Sequence, residues 1–263
     1  MGVLNVTPDS FSDGGQYVNL DAALARASEM LGEGAVIIDV GGESTRPGAR
    51  PVSEQQEIDR VAPVVERITR ELGCIVSIDT LKPAVMDAAC AAGATLINDV
   101  NALQAAGAIE VARKHQAAVC LMHMQGEPGT MQDSPQYRDV VAEVRDFLAG
   151  RISACIEAGI SPQQILIDPG IGFGKTLEHN LELLANLDTF AKLNCPLLIG
   201  VSRKSMFKTL LGAAVGQRLN GALSAASIAV WQGAAIVRAH DVRATVEAIQ
   251  VAAALHDKRR AHP

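Results

Sequence analysis

The sequence has 263 residues, a mass of 27.6 kDa and a formal net charge of −6 at pH 7. Its 48% hydrophobic and 20% charged residues supply a large core, which excludes a disordered chain. The acidic balance argues against a nucleic-acid-binding protein. No apolar run approaches the ~18 residues of a membrane span, and no export signal precedes the first apolar run. We therefore expect a cytoplasmic location.

The five cysteines are widely spaced, odd in number and form no Cys-x-x-Cys pair. This pattern argues against a disulfide framework and against structural zinc. We expect reduced thiols at Cys74, Cys90, Cys120, Cys155 and Cys195.

A short apolar run followed by an amphipathic stretch recurs eight times along the chain. The runs are continuous rather than alternating, as is typical of parallel strands buried on both faces. Predicted strands cover residues 3–6, 35–40, 74–78, 95–97, 118–122, 165–167, 196–201 and 235–237.

Predicted helices alternate with these strands. They cover residues 21–31, 54–72, 83–92, 108–115, 137–158, 179–187, 204–211 with 219–231, and 242–255. Ser53 and Gln56 predict a capping box at one helix start, and Gly73 predicts a helix end. Eight strand–helix units favour one (β/α)8 TIM-barrel domain over residues 1–263 rather than an open doubly wound sheet.

Every predicted strand is followed by polar or charged residues, whereas the opposite junctions are mostly Gly, Ala and Pro. Barrel enzymes build their active sites from the loops at the carboxyl ends of the strands. This asymmetry therefore predicts an enzyme with its site at that rim, which would include Asn5, Asp39, Asp79, Asn98, His123, Asp168, Ser202 and Arg238.

Three cationic or potentially cationic residues follow the last two strands: Lys204, Arg238 and His240. The loops after strands 7 and 8 of barrels frequently bind anions, and arginine can also stack on a flat ring. We therefore predict an anion site here. The alternative for Arg238 is an ion pair with a rim carboxylate such as Asp241.

Asp79, Asn98 and Asp168 end three of the strands. If they converge, they can read the donor and acceptor edge of a flat heterocycle. The alternative for each is a helix N-cap. We prefer the cap for Asp99 and the binding role for Asp79 and Asp168.

The glycine-rich segment 170–176 is similar to two phosphate-binding loops, but it matches neither. Pro169 stands where a Walker A motif needs glycine, and Lys175 stands where the dinucleotide fingerprint needs glycine. We interpret the segment as a loop that holds Phe173 over a pocket mouth.

Oxygen ligands for a hard cation occur near the N-terminus. Asn5, Asp9 and Asp13 suit Mg²⁺ shared with a substrate phosphate. For His123, a structural and a catalytic role are equally compatible with its position after the fifth strand.

The motifs together resemble the dihydropteroate synthase family of the bacterial folate pathway. The resemblance rests on two long segments, residues 2–15 (GVLNVTPDSFSDGG) and 39–48 (DVGGESTRPG), and six shorter ones at 77–80, 97–100, 121–126, 168–175, 202–205 and 238–241. Members usually carry a short segment before the first strand, which here begins at Gly2, so we expect the cover at the bottom of the barrel and some stability to be affected, but not the rim.

The resemblance implies that 6-hydroxymethyl-7,8-dihydropterin diphosphate and 4-aminobenzoate are joined into 7,8-dihydropteroate with release of diphosphate. It places the pterin on Asp79, Asn98, Asp168, Lys204 and Arg238. The implied catalytic residues are Asp79, Lys204, Arg238 and His240. The implied diphosphate ligands are Asn5, Arg238 and His240, with Asn5 on Mg²⁺. The implied aminobenzoate site comprises Thr45, Arg46, Pro47, Phe173 and Ser202.

This reaction needs no strong base, because an arylamine is neutral and nucleophilic at pH 7. Its difficulty is the departure of diphosphate, which cations and Mg²⁺ assist. We expect an SN1-like displacement, inhibition by sulfonamides and a homodimer. The alternatives are a related pterin-binding barrel, such as a methyltetrahydrofolate-dependent methyltransferase domain, and an aldolase using Lys204 as a Schiff base.

Overall fold

The computed structural model describes residues 1–6, 16–43, 52–126 and 129–260, with the side chains of these ranges except those of 16–19 and 259–260. It contains eight strands: β1 (Gly2–Asn5), β2 (Ile37–Gly41), β3 (Ile75–Asp79), β4 (Leu96–Asp99), β5 (Ala118–Met122), β6 (Ile165–Asp168), β7 (Leu198–Gly200) and β8 (Ile236–Arg238). Each lies within two residues of its predicted position.

The helices alternate with the strands as predicted. They are α1 (Gln16–Gly32), α2 (Glu54–Leu72), α3 (Pro83–Ala91), α4 (Ala108–Lys114), α5 (Val140–Glu157), α6 (Leu177–Ala185), α7 (Met206–Leu211), α8 (Leu219–Trp231) and α9 (Val242–Arg260). Short 3-10 segments at Pro162–Gln164, Leu187–Leu193 and Val215–Gln217 were not predicted. No helix in the described part of the chain is long and apolar enough to cross a membrane.

The strands pair in parallel and in chain order. β1 to β6 form one six-stranded sheet, and β7 and β8 form a pair. Single parallel bridges, Ile167 to Leu197 and Gly2 to Ala239, link this pair to β6 and β1. The predicted α/β strand order of a barrel is confirmed.

Both faces of the sheet are buried, which explains the continuous apolar runs. The main core lies between strands and helices, where Ile38, Ile78 and Leu121 are fully buried. A smaller cluster of Leu96, Cys120 and Leu198 fills the other face.

Local signals set two helix boundaries. Ser53 and Gln56 form the predicted capping box of α2, and Gly73 ends this helix with φ 60°. α5 begins at Val140 rather than at residue 137, because the Asp139 carboxylate accepts the Ala142 N–H at its first turn.

Strand register brings the polar strand ends to one level. Asn5 lies opposite Gly41, Gly41 lies opposite Asp79, and Asp79 lies opposite Asn98. The carboxyl ends of β1, β3 and β4 therefore present Asn5, Asp79 and Asn98 at the same rim, with Gly41 of β2 at the same level.

Candidate active site

The predicted site residues follow or end strands at this rim. Asn5, Asp79, Asn98, Asp168 and Arg238 belong to β1, β3, β4, β6 and β8, while Phe173, Ser202, Lys204 and His240 lie in the loops after β6, β7 and β8. Thr45, Arg46 and Pro47 lie outside the described residues, as do Asp9 and Asp13.

Arg238 connects three strands through two carboxylates. Its Nε donates to Asp39 Oδ2 and its Nη2 donates to Asp79 Oδ2, each at 2.6 Å. Asn98 Nδ2 also donates to Asp39 Oδ2, at 3.2 Å. One guanidinium thus joins β2, β3 and β8, and the Asn98 amide brings β4 into the same cluster.

Arg238 does form ion pairs with rim carboxylates, as the alternative for this residue held, but they are Asp39 and Asp79 rather than Asp241. Asp241 instead accepts two hydrogen bonds from Arg203, at 2.7 and 3.1 Å. Asp39 is fully buried, and a buried carboxylate without a cation is strongly destabilising. Asp241 is about one-third exposed, so solvent stabilises its charge and an ion pair with Arg238 is not required.

The Arg238 cluster carries more negative than positive charge. Two carboxylates share one guanidinium, and Asp39 Oδ1 is buried without a hydrogen-bond partner. Burial raises the pKa of Asp79 to about 7; Arg238 opposes this shift and Asp39 adds to it. The rim therefore offers carboxylate acceptors beside amide and guanidinium donors, a combination that complements a flat heterocycle with both kinds of group.

Lys204, in the loop after β7, stands beside an aromatic ring. Its Nζ lies 4.1 Å from the centre of the Phe173 ring, a cation–π geometry. Burial lowers the pKa of Lys204 to about 8, although the Asp168 charge acts in the opposite direction. Asp168 is buried, accepts the Gly170 N–H at 2.7 Å and has its pKa raised by burial.

The loops after β7 and β8 are fastened to each other next to Arg238. Ser202 Oγ accepts the His240 N–H at 3.1 Å and lies 3.1 Å from His240 Nδ1. Arg26 on α1 donates to the His240 carbonyl at 3.1 Å. These contacts hold the His240 imidazole beside Ser202, two residues along the chain from Arg238.

The chain matches the family of pterin binding enzymes over residues 1–240. It is 52% identical to the dihydropteroate synthase of Escherichia coli (strain K12) over 251 residues, which cover 95% of this chain and 89% of that protein. This chain belongs to the dihydropteroate synthase family. It is also 42% identical to the dihydropteroate synthase of Bacillus subtilis over 263 residues, which cover 100% of this chain and 90% of that protein.

Solved dihydropteroate synthase structures share the fold. The Yersinia pestis enzyme in a sulfonamide drug complex superposes with a TM-score of 0.92 at 51% identity, covering 98% of this chain and 93% of that one. The Xanthomonas albilineans enzyme in complex with 7,8-dihydropteroate gives a TM-score of 0.87 at 44% identity, covering 97% of this chain and 92% of that one. The predicted family is confirmed.

Asp99 does not cap a helix, so the prediction for this residue was wrong; the N-cap of α4 is Gly107, and Asp99 serves the backbone of a turn. Its carboxylate accepts the N–H groups of Asn101 and Leu103, both at 2.7 Å. The acceptor role is that of an N-cap, but the partners belong to a turn in which Ala102 and Leu103 have positive φ rather than to a helix. Burial raises the pKa of Asp99 to about 6.

The partners of two groups of charged residues at the rim were not predicted from sequence; Asp39 was placed at the rim, but without a role. Asp39 interrupts the apolar strand IIDVG, and a charge in a buried strand needs a partner, so this signal was available. Lys82 bonds both Glu43 and Glu57 at 2.8 Å, and it donates to the Val52 carbonyl at 2.6 Å, so it contacts the residues on both sides of segment 44–51. Nothing in the local sequence marks the lysine and these two glutamates as partners.

Proposed function

We propose that the chain condenses 6-hydroxymethyl-7,8-dihydropterin diphosphate with 4-aminobenzoate, giving 7,8-dihydropteroate and diphosphate in folate biosynthesis. One observation carries the proposal beyond family membership. A guanidinium shared by Asp39 and Asp79 lies next to Asn98, on the rim that also holds Lys204 and Asp168.

The pterin occupies this cluster. Asp79 and Asp168 accept hydrogen bonds from the ring, while Asn98 both donates and accepts. Lys204 donates to a ring acceptor, and Arg238 stacks on the ring plane, as its delocalised guanidinium permits. Buried polar groups that pair only with the right ring give the site its selectivity.

The diphosphate lies between the carboxyl ends of β1 and β8. Arg238 and His240 meet its oxygens, and Asn5 would hold Mg²⁺. No group of three His, Cys, Asp or Glu side chains able to hold a metal occurs among the described residues. Asn5 fits nevertheless, because its amide oxygen is a hard ligand and Mg²⁺ commonly takes few protein ligands beside substrate phosphate. When bound, Mg²⁺ supplies charge stabilisation for the leaving diphosphate.

The displacement proceeds through an SN1-like transition state. The C–O bond to diphosphate breaks with its electron pair, and Arg238 and His240 stabilise the negative charge that develops. Asp79 stabilises the positive charge left on the pterin methylene. The arylamine nitrogen then forms the new C–N bond and releases a proton to water.

The 4-aminobenzoate site comprises Phe173, Ser202 and the segment with Thr45, Arg46 and Pro47. Phe173 supports the assignment because its ring covers Lys204, at the edge of the pterin cluster. A ring binding there presents its amine to the pterin methylene. Sulfonamides, which have the same shape, are expected to compete for this place.

Product analysis tests the function. Purified wild type, given both substrates and Mg²⁺, is expected to form dihydropteroate, and a sulfonamide is expected to suppress it in competition with 4-aminobenzoate. Lys204→Ala is expected to lose product formation. Lys114→Ala removes an exposed lysine paired with Asp87 and should keep wild-type activity. Absence of dihydropteroate, or full turnover at saturating sulfonamide, would contradict the proposal.

Assembly and location are separate proposals. A homodimer is supported by exposed apolar side chains on α8 and α9, where Ile228, Val251 and Leu255 are 54%, 62% and 57% exposed. Sedimentation equilibrium should give twice the monomer mass, and Val251→Glu should lower it. A cytoplasmic location is supported by the five unpaired cysteines.

A further inference from the structure

Lys175 is a buried lysine without a carboxylate in hydrogen-bond contact. Lys175 is 3% exposed, and it directly follows the glycine-rich loop of residues 170–174. Its Nζ donates to the Phe173 carbonyl at 2.9 Å, and it lies 3.0 Å from His123 Nδ1 and 3.4 Å from the His123 carbonyl. Lys175 thus links the loop after β6 to the end of β5.

The same loop fits closely against the residues that follow β5. Gly170 and Gly174 both have positive φ, and a Cβ at either would overlap a backbone carbonyl oxygen, that of His123 or that of Gln125. The Tyr137 hydroxyl also donates to the Gly174 carbonyl at 2.8 Å. The backbone on both sides of Phe173 is therefore fixed to one neighbouring segment.

This attachment determines where the Phe173 ring lies. The ring stands 4.1 Å from Lys204 Nζ, and a Cβ added to Gly172 would lie 3.1 Å from Lys204 Cδ. A shift of the loop would therefore move the ring relative to the ammonium group, at the border between the two proposed substrates.

We propose that Lys175 is a positioning residue for the aminobenzoate subsite, which holds the Phe173 backbone against the end of β5 and keeps its ring over Lys204. The inference rests on the proposed function, in which Phe173 lines that subsite. Lys175 itself touches neither substrate.

The protonation states agree with this role. Burial and, to a lesser extent, the charge of Lys175 lower the pKa of His123 to about 3, so His123 is neutral and Nδ1 can accept. Burial lowers the pKa of Lys175 to about 7, with Asp168 opposing the shift. A lysine kept in so unfavourable a place supplies hydrogen bonds that an apolar side chain cannot make.

A double-mutant cycle separates positioning from general stability. The four proteins are wild type, Lys175→Met, Phe173→Ala and the double variant. Lys175→Met is expected to raise KM for 4-aminobenzoate by about 10-fold while the Kd of 6-hydroxymethyl-7,8-dihydropterin diphosphate changes by less than about 2-fold. In the Phe173→Ala background the same change should raise KM by no more than about 2-fold, because the ring it positions is gone.

Two further variants complete the test. Lys114→Met removes an exposed lysine outside the site and should leave both constants unchanged. If Lys175→Met does not fold, Tyr137→Phe removes another hydrogen bond to the loop and should raise KM for 4-aminobenzoate by about 3-fold, again without affecting pterin binding.

The outcomes are distinguishable. Multiplicative KM effects in the cycle, or equal losses for both substrates, would overturn the role of Lys175 while the synthase activity of wild type stands. A wild type that forms no dihydropteroate would overturn the proposed function and the subsite together.

Discussion

The two sides of the rim handle buried positive charge in opposite ways. On the side of β2, β3 and β8, Arg238 contacts two carboxylates, and its pKa is raised by Asp39 and Asp79. On the side of β5 and β6, Lys175 bonds only neutral acceptors, and burial lowers its pKa to about 7. The first is an ion cluster, and the second is a hydrogen-bonded attachment of backbone segments.

The difference separates recognition from support. The Arg238 cluster has two carboxylates for one guanidinium, and the Asp79 side chain is 14% exposed, so it is accessible to a donor of an incoming ring. The bonds of Lys175 go to a backbone carbonyl of Phe173 and to His123, so they orient a loop. Substitutions on the two sides should therefore have effects that differ in size and in the quantity they change.

The largest effect is expected from Arg238→Met. It leaves Asp39 and Asp79 buried without their shared cation, which should lower the free energy of unfolding by about 3–5 kcal/mol. Product formation should fall by about 10³-fold, because the leaving diphosphate loses a charged donor. Urea denaturation and steady-state assays measure both. Arg67→Met, on the exposed face of α2, is the matched control and should keep full activity. Near-wild-type stability of Arg238→Met would show that the cluster is not an ion pair network.

A pH dependence of pterin binding is the next effect. The carboxylate of Asp79 is the acceptor, and its pKa is raised to about 7, so affinity should fall as the pH drops below about 7. The ligand to use is 6-hydroxymethyl-7,8-dihydropterin, whose lack of diphosphate removes a competing ionisation. Calorimetric titrations between pH 5.5 and 8.5 would follow the affinity, at most about 10-fold per pH unit.

Asp39→Asn sharpens this test. Asp39 contributes to the raised pKa of Asp79. Removing its charge should therefore shift the pH at which pterin affinity begins to fall to a lower value. If this pH is the same in Asp39→Asn and wild type, the ionisation belongs to a group other than Asp79.

The remaining effect concerns stability on the Lys175 side and leaves the chemistry untouched. The folded-state pKa of Lys175 is about 7, below the ordinary lysine value of 10.5. Between these values the unfolded chain binds more protons, so the contribution of this lysine to stability rises with pH, by up to about 1.4 kcal/mol per unit. The destabilisation by Lys175→Met should thus grow from pH 7 to pH 9.5 in urea titrations. If the difference in free energy of unfolding between wild type and Lys175→Met stays constant over this pH range, the lowered pKa of Lys175 is contradicted.

Most of the fold follows from local patterns. The predicted bounds of α2 and α8 agree with the structure, because a capping box, a C-terminal glycine and the apolar periodicity all act within a few residues. The start of α5 was missed, since Asp139 competes with the earlier residues as its cap. The polar rim was predictable because parallel strands end at one edge.

The pairings within the site were not predictable from local sequence. Arg238 is separated by 199 and 159 residues from its two carboxylate partners, and the nearer Asp241 was the more obvious choice. Lys175 was noted as a mismatch to a dinucleotide motif and as part of the resemblance segment 168–175, but it received no role, because its burial next to His123 depends on how two loops pack. Family resemblance supplied the substrate roles, which residue chemistry had limited to an anion and a flat heterocycle.

The most direct test of the account is diphosphate release from 6-hydroxymethyl-7,8-dihydropterin diphosphate with Mg²⁺, measured with and without 4-aminobenzoate on wild type and on Lys204→Ala. We predict release by wild type that yields dihydropteroate when 4-aminobenzoate is present, and loss of both products in the variant. Pterin binding without any turnover by wild type would contradict the account and indicate a pterin-binding barrel that lacks the transferase activity.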